Sequence, residues 1–324
     1  MKKLIFIFIL LISLTSCNDK SNVVSNVQAS SYIVIEQSTN KILEGSNYDI
    51  QRSVASISKI MTAIVVIENV DINKTVKVPK EINKVYGSSI YLKVDQQITI
   101  KDLLYGLLLR SGNDAAITLA ISVSGSVERF VDLMNDKASC LNLKNTYFSN
   151  PHGLDEMDNG NISTAYDMAI IYSYCMKNEV FKSIVSSKTY GQFVNKNRLI
   201  RSYEHCTGGK TGFTKIAKRT LITSASKDDI NLIIVTLNCG NDFNTHKEIY
   251  EHYFQNYNSI KILNKGENSF SNISFNIKQD YYFISDLNKL DLYYYVNYKE
   301  KYVEVTLFDE NHRVVDYTKV EIII

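Results

Sequence analysis

Apolar residues recur at helical spacing through the middle of the chain. Across 56–70 they follow one another at the intervals of three and four residues that mark one face of an α-helix, at Ile57, Ile60, Met61, Ile64, Val65 and Ile67. The same spacing predicts further helices over 101–109, 114–123, 127–141, 165–176 and 243–254. The middle of the chain is therefore predicted to be mostly helical.

Alternating, β-branched stretches flank most of this helical region. The stretch 31–36 is followed by Asn40 and Gly45, which predicts a β-hairpin. Near the other end, 221–225 and 232–237 read as paired strands joined by a turn at 227–229. Strands at both ends of a helical segment are typical of an α+β domain, and we expect one sheet to gather both ends.

Beyond Asn258 the pattern changes to short strands separated by Asp, Asn and Lys. These predicted strands cover 281–284, 292–296, 302–308 and 314–324. They indicate a small all-β domain over 258–324, following a larger domain over 31–257. The tail contains no cluster of His, Cys or carboxylate residues, so we expect the chemistry in the larger domain.

The N-terminus has the pattern of an export signal. Lys2 and Lys3 precede an apolar run over 4–14 that is too short to span a bilayer comfortably. The following Leu-Thr-Ser-Cys, ending at Cys17, resembles a bacterial lipobox. We therefore expect a lipoprotein signal peptide over 1–17, a lipidated Cys17 and a tether over 18–30, which would anchor an extracytoplasmic domain to the bacterial membrane. The alternative is an ordinary signal peptide with a chance cysteine.

Composition and charge narrow the classes of partner. The chain has 324 residues, a net charge of +2 and 22% charged residues, so no basic field indicates a nucleic-acid binder. The remaining cysteines fit no zinc spacing and lie in apolar or strand-like runs, where buried free thiols are expected, at Cys140, Cys175, Cys206 and Cys239.

The histidines give no metal motif either. No H-E-x-x-H or comparable spacing occurs, so a zinc peptidase is not expected and we predict no metal. His152 is expected to pack in a loop. His205 is near Lys210 in sequence and could line a cleft, although a surface or turn position is favoured. Asp155 and Asp167 are interpreted as structural carboxylates of a turn and a helix start.

Ser56 and Lys59 form an S-x-x-K motif at the start of the first apolar helix. Three residues are nearly one helical turn, so the hydroxyl and the amine are expected on one face within hydrogen-bond reach. A serine becomes a good nucleophile when a base takes its proton, and a lysine is such a base only where burial lowers its pKa. The motif alone also fits an N-capping serine with a solvated lysine, so other motifs must accompany it.

Two further triplets follow in a fixed order. Ser111-Gly112-Asn113 lies between two predicted helices, and Lys210-Thr211-Gly212 opens a predicted strand. Each triplet alone is an ordinary turn or strand end. The order S-x-x-K, S-x-N, K-T-G is that of penicillin-binding proteins and class A β-lactamases.

The resemblance extends beyond these triplets. Over about 31–257 the chain resembles the low-molecular-mass D-alanyl-D-alanine carboxypeptidases, peptidase family S11, in motifs that begin at Gly87, Leu103, Asn113, Asn150, Ser163 and Gly209. The resemblance implies an α+β penicillin-binding, β-lactamase-like domain, with an antiparallel sheet and a helical subdomain, and a C-terminal β-sandwich. It implies removal of the terminal D-alanine from peptidoglycan stem pentapeptides, covalent inhibition by β-lactams, and no cofactor.

The resemblance also implies roles for the matching residues. Ser56 is acylated, Lys59 deprotonates it, and Ser111 relays a proton to the leaving D-alanine. Asn113 holds the substrate amide, and Lys210 adds positive potential. The substrate-binding strand continues through Thr211, which binds the substrate carboxylate, Gly212, and Phe213, whose backbone N–H forms an oxyanion hole with that of Ser56.

Two departures from the family pattern affect these expectations. Lys218 stands where the family usually has glycine, so the turn behind the active-site strand is expected to be reshaped. The chain ends in the strand-like 320–324 rather than in the amphipathic membrane-surface helix that the family often has, and a lipid on Cys17 would replace that anchor.

Two other functions remain open. A serine β-lactamase shares the acylation step but needs a carboxylate to drive the deacylating water, and no E-x-x-L-N loop occurs between Asn113 and Lys210. A non-catalytic penicillin-binding or wall-binding lipoprotein would keep the fold and lose the chemistry, against which the intact motif residues argue.

Overall fold

The computed structural model describes residues 27–155, 160–270, 273–285, 293–299, 301–308 and 312–323. The predicted signal peptide, Cys17 and the tether up to residue 26 lie outside the described residues. Within the described ranges no helix is long and apolar enough to cross a membrane.

A five-stranded antiparallel sheet joins the two ends of the larger domain. Its order is β2-β1-β11-β10-β9, with β1 at Ser31–Glu36, β2 at Ile42–Ser46, β9 at Cys206–Thr214, β10 at Lys218–Lys227 and β11 at Ile230–Leu237. The predicted hairpin and the gathering of both chain ends into one sheet are confirmed. The Lys-Thr-Gly motif lies in the middle of β9, not at its start as expected, because this edge strand already begins at Cys206.

Both faces of this sheet are covered, which fits the complete burial of β1. Ile33 and Ile35 pack into the core shared with the helical part of the chain. Tyr32 and Val34 point to the opposite face, against the last helix of the domain. Period-two alternation between two apolar layers explains why this strand has no polar face. The β10–β11 turn has left-handed φ angles at Asp228 and Asp229, as a two-residue hairpin turn requires.

The predicted helices are present with small changes of boundary. Six lie together: α1 at Lys59–Asn69, α2 at Ile100–Leu109, α3 at Asn113–Ser124, α4 at Val127–Cys140, α5 at Ala165–Met176 and α6 at Glu179–Ser186. The short α7 (Leu199–Ser202) precedes β9, and α8 (Asp242–Asn256) covers the other face of the sheet. Thr99, Ser126, Thr164 and Asn178 cap four of these helices through their side chains.

Two expectations need correction here. The first helix does not begin at Ser56, which lies in a 3₁₀ turn, Ala55–Ser58, before α1. The short helices α6 and α7 were not predicted. Cys140 is exposed rather than buried, because α4 packs through Phe130, Met134 and Ala138 and its last residue is off that face. The four described cysteines are free thiols, as expected.

Short two-stranded sheets connect the helices. They pair β3 (Arg52–Ser53) with β6 (Ile162–Ser163), β4 (Thr75–Lys77) with β5 (Gln97–Thr99), and β7 (Thr189–Tyr190) with β8 (Phe193–Val194). The first of these pairs brings the chain before Ser56 next to the segment that follows 150–155.

The described C-terminal residues are all strand and loop. The strands are β12 at Asn258–Leu263, β13 at Gly266–Phe270, β14 at Ile273–Ile277, β15 at Tyr281–Ser285, β16 at Tyr293–Tyr298, β17 at Tyr302–Phe308 and β18 at Val314–Ile323. They form the sheets β12-β15 and β13-β14-β18-β17-β16 around a core of their own. The all-β prediction is confirmed, although β12 to β14 were not foreseen. The domain boundary at 257/258 stays a prediction.

Candidate active site

Ser56 and Lys59 are brought together by the junction between the 3₁₀ turn and α1. Lys59 is the first residue of α1, and its Nζ is 3.0 Å from Ser56 Oγ. Ala55, directly before Ser56, has a φ of +50°. Left-handed backbone in a non-glycine residue costs free energy and is concentrated at functional sites.

The Lys59 amine is fully buried and surrounded by acceptors. Asn113 Oδ1 accepts a hydrogen bond from Nζ at 2.8 Å, and the backbone carbonyl of His152 accepts another at short range. Burial lowers the pKa of Lys59 well below its usual value, and the nearby cations Lys210 and Lys196 lower it further. In a neutral amine the two N–H groups satisfy these acceptors, so the lone pair is left for the Ser56 hydroxyl.

A second serine–lysine pair lies on the other side of the cleft. Lys210 Nζ donates to Ser111 Oγ at 3.0 Å and to the carbonyl of Thr211 at 2.6 Å. Burial, and then the charge of Lys196, lowers the pKa of Lys210 well below its usual value. Ser111 joins α2 to α3 with a φ of +64°. The S-x-N and K-T-G motifs therefore meet in space.

Asn113 is oriented by the protein on both sides of its amide. While Oδ1 faces Lys59, Nδ2 donates to the carbonyl of Tyr86 at 2.6 Å. The backbone N–H of Asn113 donates to the carbonyl of Ser88 at 2.7 Å. Asn113 thus ties the base to the 86–88 segment, a contact that the sequence did not reveal.

Strand β9 lies directly against the 3₁₀ turn that carries Ser56. A Cβ at Gly212 would lie well inside van der Waals contact with Thr220 Oγ1, and 3.0 Å from the backbone nitrogen of Ser56. Only a residue without a side chain allows this approach. The contact brings Thr211, Gly212 and Phe213 to the cleft beside Ser56.

The cleft has a volume of about 350 Å³. Its lining includes the predicted Ser56, Ser111, Thr211, Gly212 and Phe213. It also includes four residues to which sequence reasoning gave no role: Ser88, Lys196, Arg219 and Phe243. Ser88 lies in the motif Gly87-Ser88-Ser89, which contributed to the resemblance. The other three belong to no motif that the sequence revealed.

Two of the added residues are cations held in place by neighbours. Lys196 Nζ donates to Ser88 Oγ at 2.9 Å. Arg219 donates to both oxygens of the buried Asp242 carboxylate, at 3.1 and 2.7 Å, while its own side chain is 41% exposed. Phe243 packs beside Arg219 at the start of α8. Lys196 and Arg219 therefore each add a cationic group to the lining of the cleft.

The 150–155 segment supports the site from behind. His152 is buried, and burial together with Lys59 lowers the pKa of its ring to about 3. Gly153 has a φ of +80°, and a Cβ there would overlap the carbonyl of Ala55. Asp155 accepts from Ser53 Oγ at 2.7 Å and from the backbone N–H of Ile216 at 3.2 Å. His152 packs in a loop as expected, and Asp155 has the structural part predicted for it.

The remaining sequence candidates lie away from the cleft. His205 packs edge-on against Tyr203 and Phe254 and does not line the cleft. Asp167 lies in the first turn of α5 and accepts from Thr146 Oγ1 at 2.7 Å, a structural role. In the described part of the chain no group of His, Cys, Asp and Glu could hold a metal ion.

Lys218 adopts a φ of +57°, the region that favours glycine. The backbone at this position is therefore compatible with the glycine that the resembled family usually has there. A lysine in this conformation carries a cost that glycine would not. The expected reshaping of the turn stays a prediction.

Comparisons with known proteins agree with this geometry. A family model described as D-alanyl-D-alanine carboxypeptidase matches residues 18–241. Penicillin-binding protein 5 of Haemophilus influenzae has a similar structure, with a TM-score of 0.80 and 25% identity over 92% of this chain and 97% of that one. Penicillin-binding protein 6B of Escherichia coli gives a TM-score of 0.75 and 26% identity over 91% and 96%.

Relatives are also found by sequence. The D-alanyl-D-alanine carboxypeptidase DacF of Bacillus subtilis is 38% identical over 222 residues, which are 64% of this chain and 57% of that protein. The chain thus spans little more than half the length of this relative. The fold and the serine–lysine pairs define a protein of the penicillin-binding class. Within that class, the chain belongs to the D-alanyl-D-alanine carboxypeptidase family, peptidase S11.

Proposed function

We propose that this protein is a serine D-Ala-D-Ala carboxypeptidase that removes the terminal D-alanine from peptidoglycan stem pentapeptides. The observation that carries the proposal is the buried Lys59 amine, 3.0 Å from Ser56 Oγ, with its N–H groups occupied by Asn113 and His152. This is the arrangement that a neutral lysine base requires.

This geometry supports acylation of Ser56 in the following steps. The Ser56 hydroxyl gives its proton to Lys59, and Oγ attacks the carbonyl of the penultimate D-alanine. The N–H groups of Ser56 and Phe213 stabilise the negative oxygen of the tetrahedral intermediate. The C–N bond then breaks, and the proton that Lys59 took from Ser56 passes through Ser111, whose hydroxyl accepts from Lys210, to the leaving D-alanine nitrogen. Water hydrolyses the ester and frees Ser56.

The free carboxylate of the substrate is recognised at the end of the cleft formed by β9 and β10. Thr211 and Phe213 lie on β9, and Arg219 pairs with Phe213 across the two strands. Asp242 holds the Arg219 guanidinium in place, and the Arg219 side chain is 41% exposed. The guanidinium can therefore donate further hydrogen bonds to a substrate carboxylate. A guanidinium with a neighbouring hydroxyl suits a carboxylate.

A β-lactamase is disfavoured by the composition of the cleft. Rapid hydrolysis of a penicilloyl ester needs a general base next to the deacylating water. Among the described residues that line the cleft, none is Asp or Glu. We therefore expect penicillin to form a long-lived adduct. An inert wall-binding protein is disfavoured because both serine–lysine pairs are intact.

One experiment separates the three functions. The purified domain is incubated with a stem pentapeptide and, separately, with labelled penicillin. A carboxypeptidase releases D-alanine and keeps the label. Fast penicillin turnover indicates a β-lactamase, and neither D-alanine nor adduct indicates the inert protein. The last two outcomes would contradict the proposal.

The proposal includes an extracytoplasmic location with a lipid on Cys17. The Leu-Thr-Ser-Cys sequence and the preceding apolar run support it. In cells fed a labelled fatty acid, the full chain should incorporate label and Cys17→Ser should not. Equal labelling of the two would refute lipidation at this residue.

A further inference from the structure

A second, larger groove lies beside the catalytic cleft. It has a volume of about 490 Å³, against about 350 Å³ for the cleft. It is lined by the segment 90–92, by residues 190–193 of the β7–β8 hairpin, and by 96–99 together with Thr75 and Asp102.

The groove and the cleft share their border. Ser88 and Lys196 line the cleft, and the chain runs directly from each of them into a segment that lines the groove. The two residues are joined by the hydrogen bond from Lys196 Nζ to Ser88 Oγ, 2.9 Å long. Arg219 and Phe243, where the proposed substrate carboxylate binds, line the cleft as well. A stem peptide that is bound in the cleft can therefore extend into the groove.

The lining of the groove differs in chemistry from that of the cleft. Among the described residues that line it, none is lysine, arginine or histidine, and Asp102 is the single charged one. Three glutamine amides and three aromatic rings dominate it: Gln96, Gln97, Gln192, Tyr91, Tyr190 and Phe193. Tyr91 is 87% exposed. Amides suit the hydroxyl and acetamido groups of a sugar, and ring faces suit its C–H face, whereas an anionic peptide would find no cation there.

Part of this surface is held rigidly. The ring of Tyr190 stacks on Tyr105 with centroids 3.6 Å apart, and its hydroxyl donates to Asp102 Oδ1 at 2.6 Å. Thr99 Oγ1 donates to Asp102 Oδ2 at 2.6 Å. Each carboxylate oxygen can accept a second hydrogen bond. A preformed wall lowers the ordering cost of binding.

We propose that this groove binds the N-acetylated sugar to which the stem peptide is attached, so that the enzyme reads the glycan as well as the peptide. The inference rests on the proposed carboxypeptidase function and deepens it. Binding of the sugar in the groove should lower KM, since the groove holds a part of the substrate that takes no part in bond breaking.

The test compares two substrates that contain the same pentapeptide. In one, the N-terminus of the peptide carries only an acetyl group. In the other, the N-terminus is attached to the sugar of a disaccharide, as in the glycan. For the unmodified enzyme, kcat/KM for D-alanine release should be about fivefold or more higher with the disaccharide, the effect of one hydrogen bond or ring contact. Tyr91→Ala and Gln192→Ala should each reduce this preference through KM and leave the acetylated peptide unaffected.

Tyr147→Ala is the matched control, because Tyr147 is 60% exposed and lies outside the groove. It should change neither substrate. Equal kcat/KM for the two substrates in the unmodified enzyme, or a preference that survives both groove substitutions, would overturn the inference. Failure of the proposed function is seen separately, as no D-alanine from the acetylated peptide.

Discussion

Gly212→Ala tests the contact between β9 and the turn that carries Ser56. The added methyl would overlap Thr220 Oγ1 and lie 3.0 and 3.2 Å from the backbone nitrogens of Ser56 and Ile57. To make room, β9 must move away from the nucleophile. The displacement also threatens the hydrogen bond from Thr220 Oγ1 to the carbonyl of Val54, 3.0 Å long.

The expected losses can be worked from these contacts. Forcing a methyl into a packed site costs about 1–3 kcal/mol, and loss of the Thr220 hydrogen bond adds about 1 kcal/mol. We therefore expect the free energy of unfolding to fall by about 2–4 kcal/mol. The acylation rate should fall about 100-fold, because a displacement of about 1 Å at a reacting centre has that effect.

The assay is the second-order rate of labelled-penicillin binding, together with denaturant unfolding. Gly240→Ala is the matched control, since a Cβ at Gly240 would meet no atom of the described residues within 4 Å. It should leave both quantities close to their original values. Acylation of the folded Gly212→Ala protein at the original rate would refute the close approach of β9 to Ser56.

Three further predictions concern the cations around the cleft and the turn behind it. Arg219→Gln should lower kcat/KM about tenfold or more for a pentapeptide with a free carboxylate, which is the value of a charge-assisted hydrogen bond. It should leave kcat/KM unchanged for the same peptide with a C-terminal amide. Equal losses for the two peptides would exclude a role in carboxylate binding. Lys196→Gln removes a charge that lowers the pKa of Lys59, so that pKa rises. Because Lys59 must be deprotonated to act, the ascending limb of acylation against pH should move to higher pH, and an unmoved limb would contradict the assignment of the base. Lys218→Gly should raise the free energy of unfolding by about 1 kcal/mol, because glycine adopts a φ of +57° without strain. Lys215→Gly, in the same turn but without a left-handed φ, should not raise it. Equal effects of the two substitutions would show that the backbone of Lys218 is not strained.

The sequence predicted correctly those features that depend on contacts between residues close together in the chain. The pairing of Ser56 with Lys59 follows from a separation of less than one helical turn. The helices from α1 to α5 were recognisable from apolar spacing because each buries one face. Motif order joined Ser111 and Lys210, which are distant in sequence, and their hydrogen bond is present.

Features that depend on tertiary register were missed. Arg219 reaches the cleft because β10 pairs with β9 in one register and because Asp242 begins α8 beside it. The backbone carbonyl of His152 accepts a hydrogen bond from Lys59. A contact made by backbone atoms leaves no side-chain pattern in the sequence. The Asn, Ser and Lys residues of β12 to β14 hide the strand signal, since these residue types are typical of loops.

Intact-mass measurement after incubation with penicillin, followed by peptide mapping, tests the central claim that Ser56 is the acylated residue. The account predicts one penicilloyl group per chain, on the peptide that contains Ser56. In Ser56→Ala the adduct should disappear while the unfolding transition is retained, because one hydroxyl contributes little to stability. An adduct that persists in Ser56→Ala, or that maps to another residue, would contradict the claim.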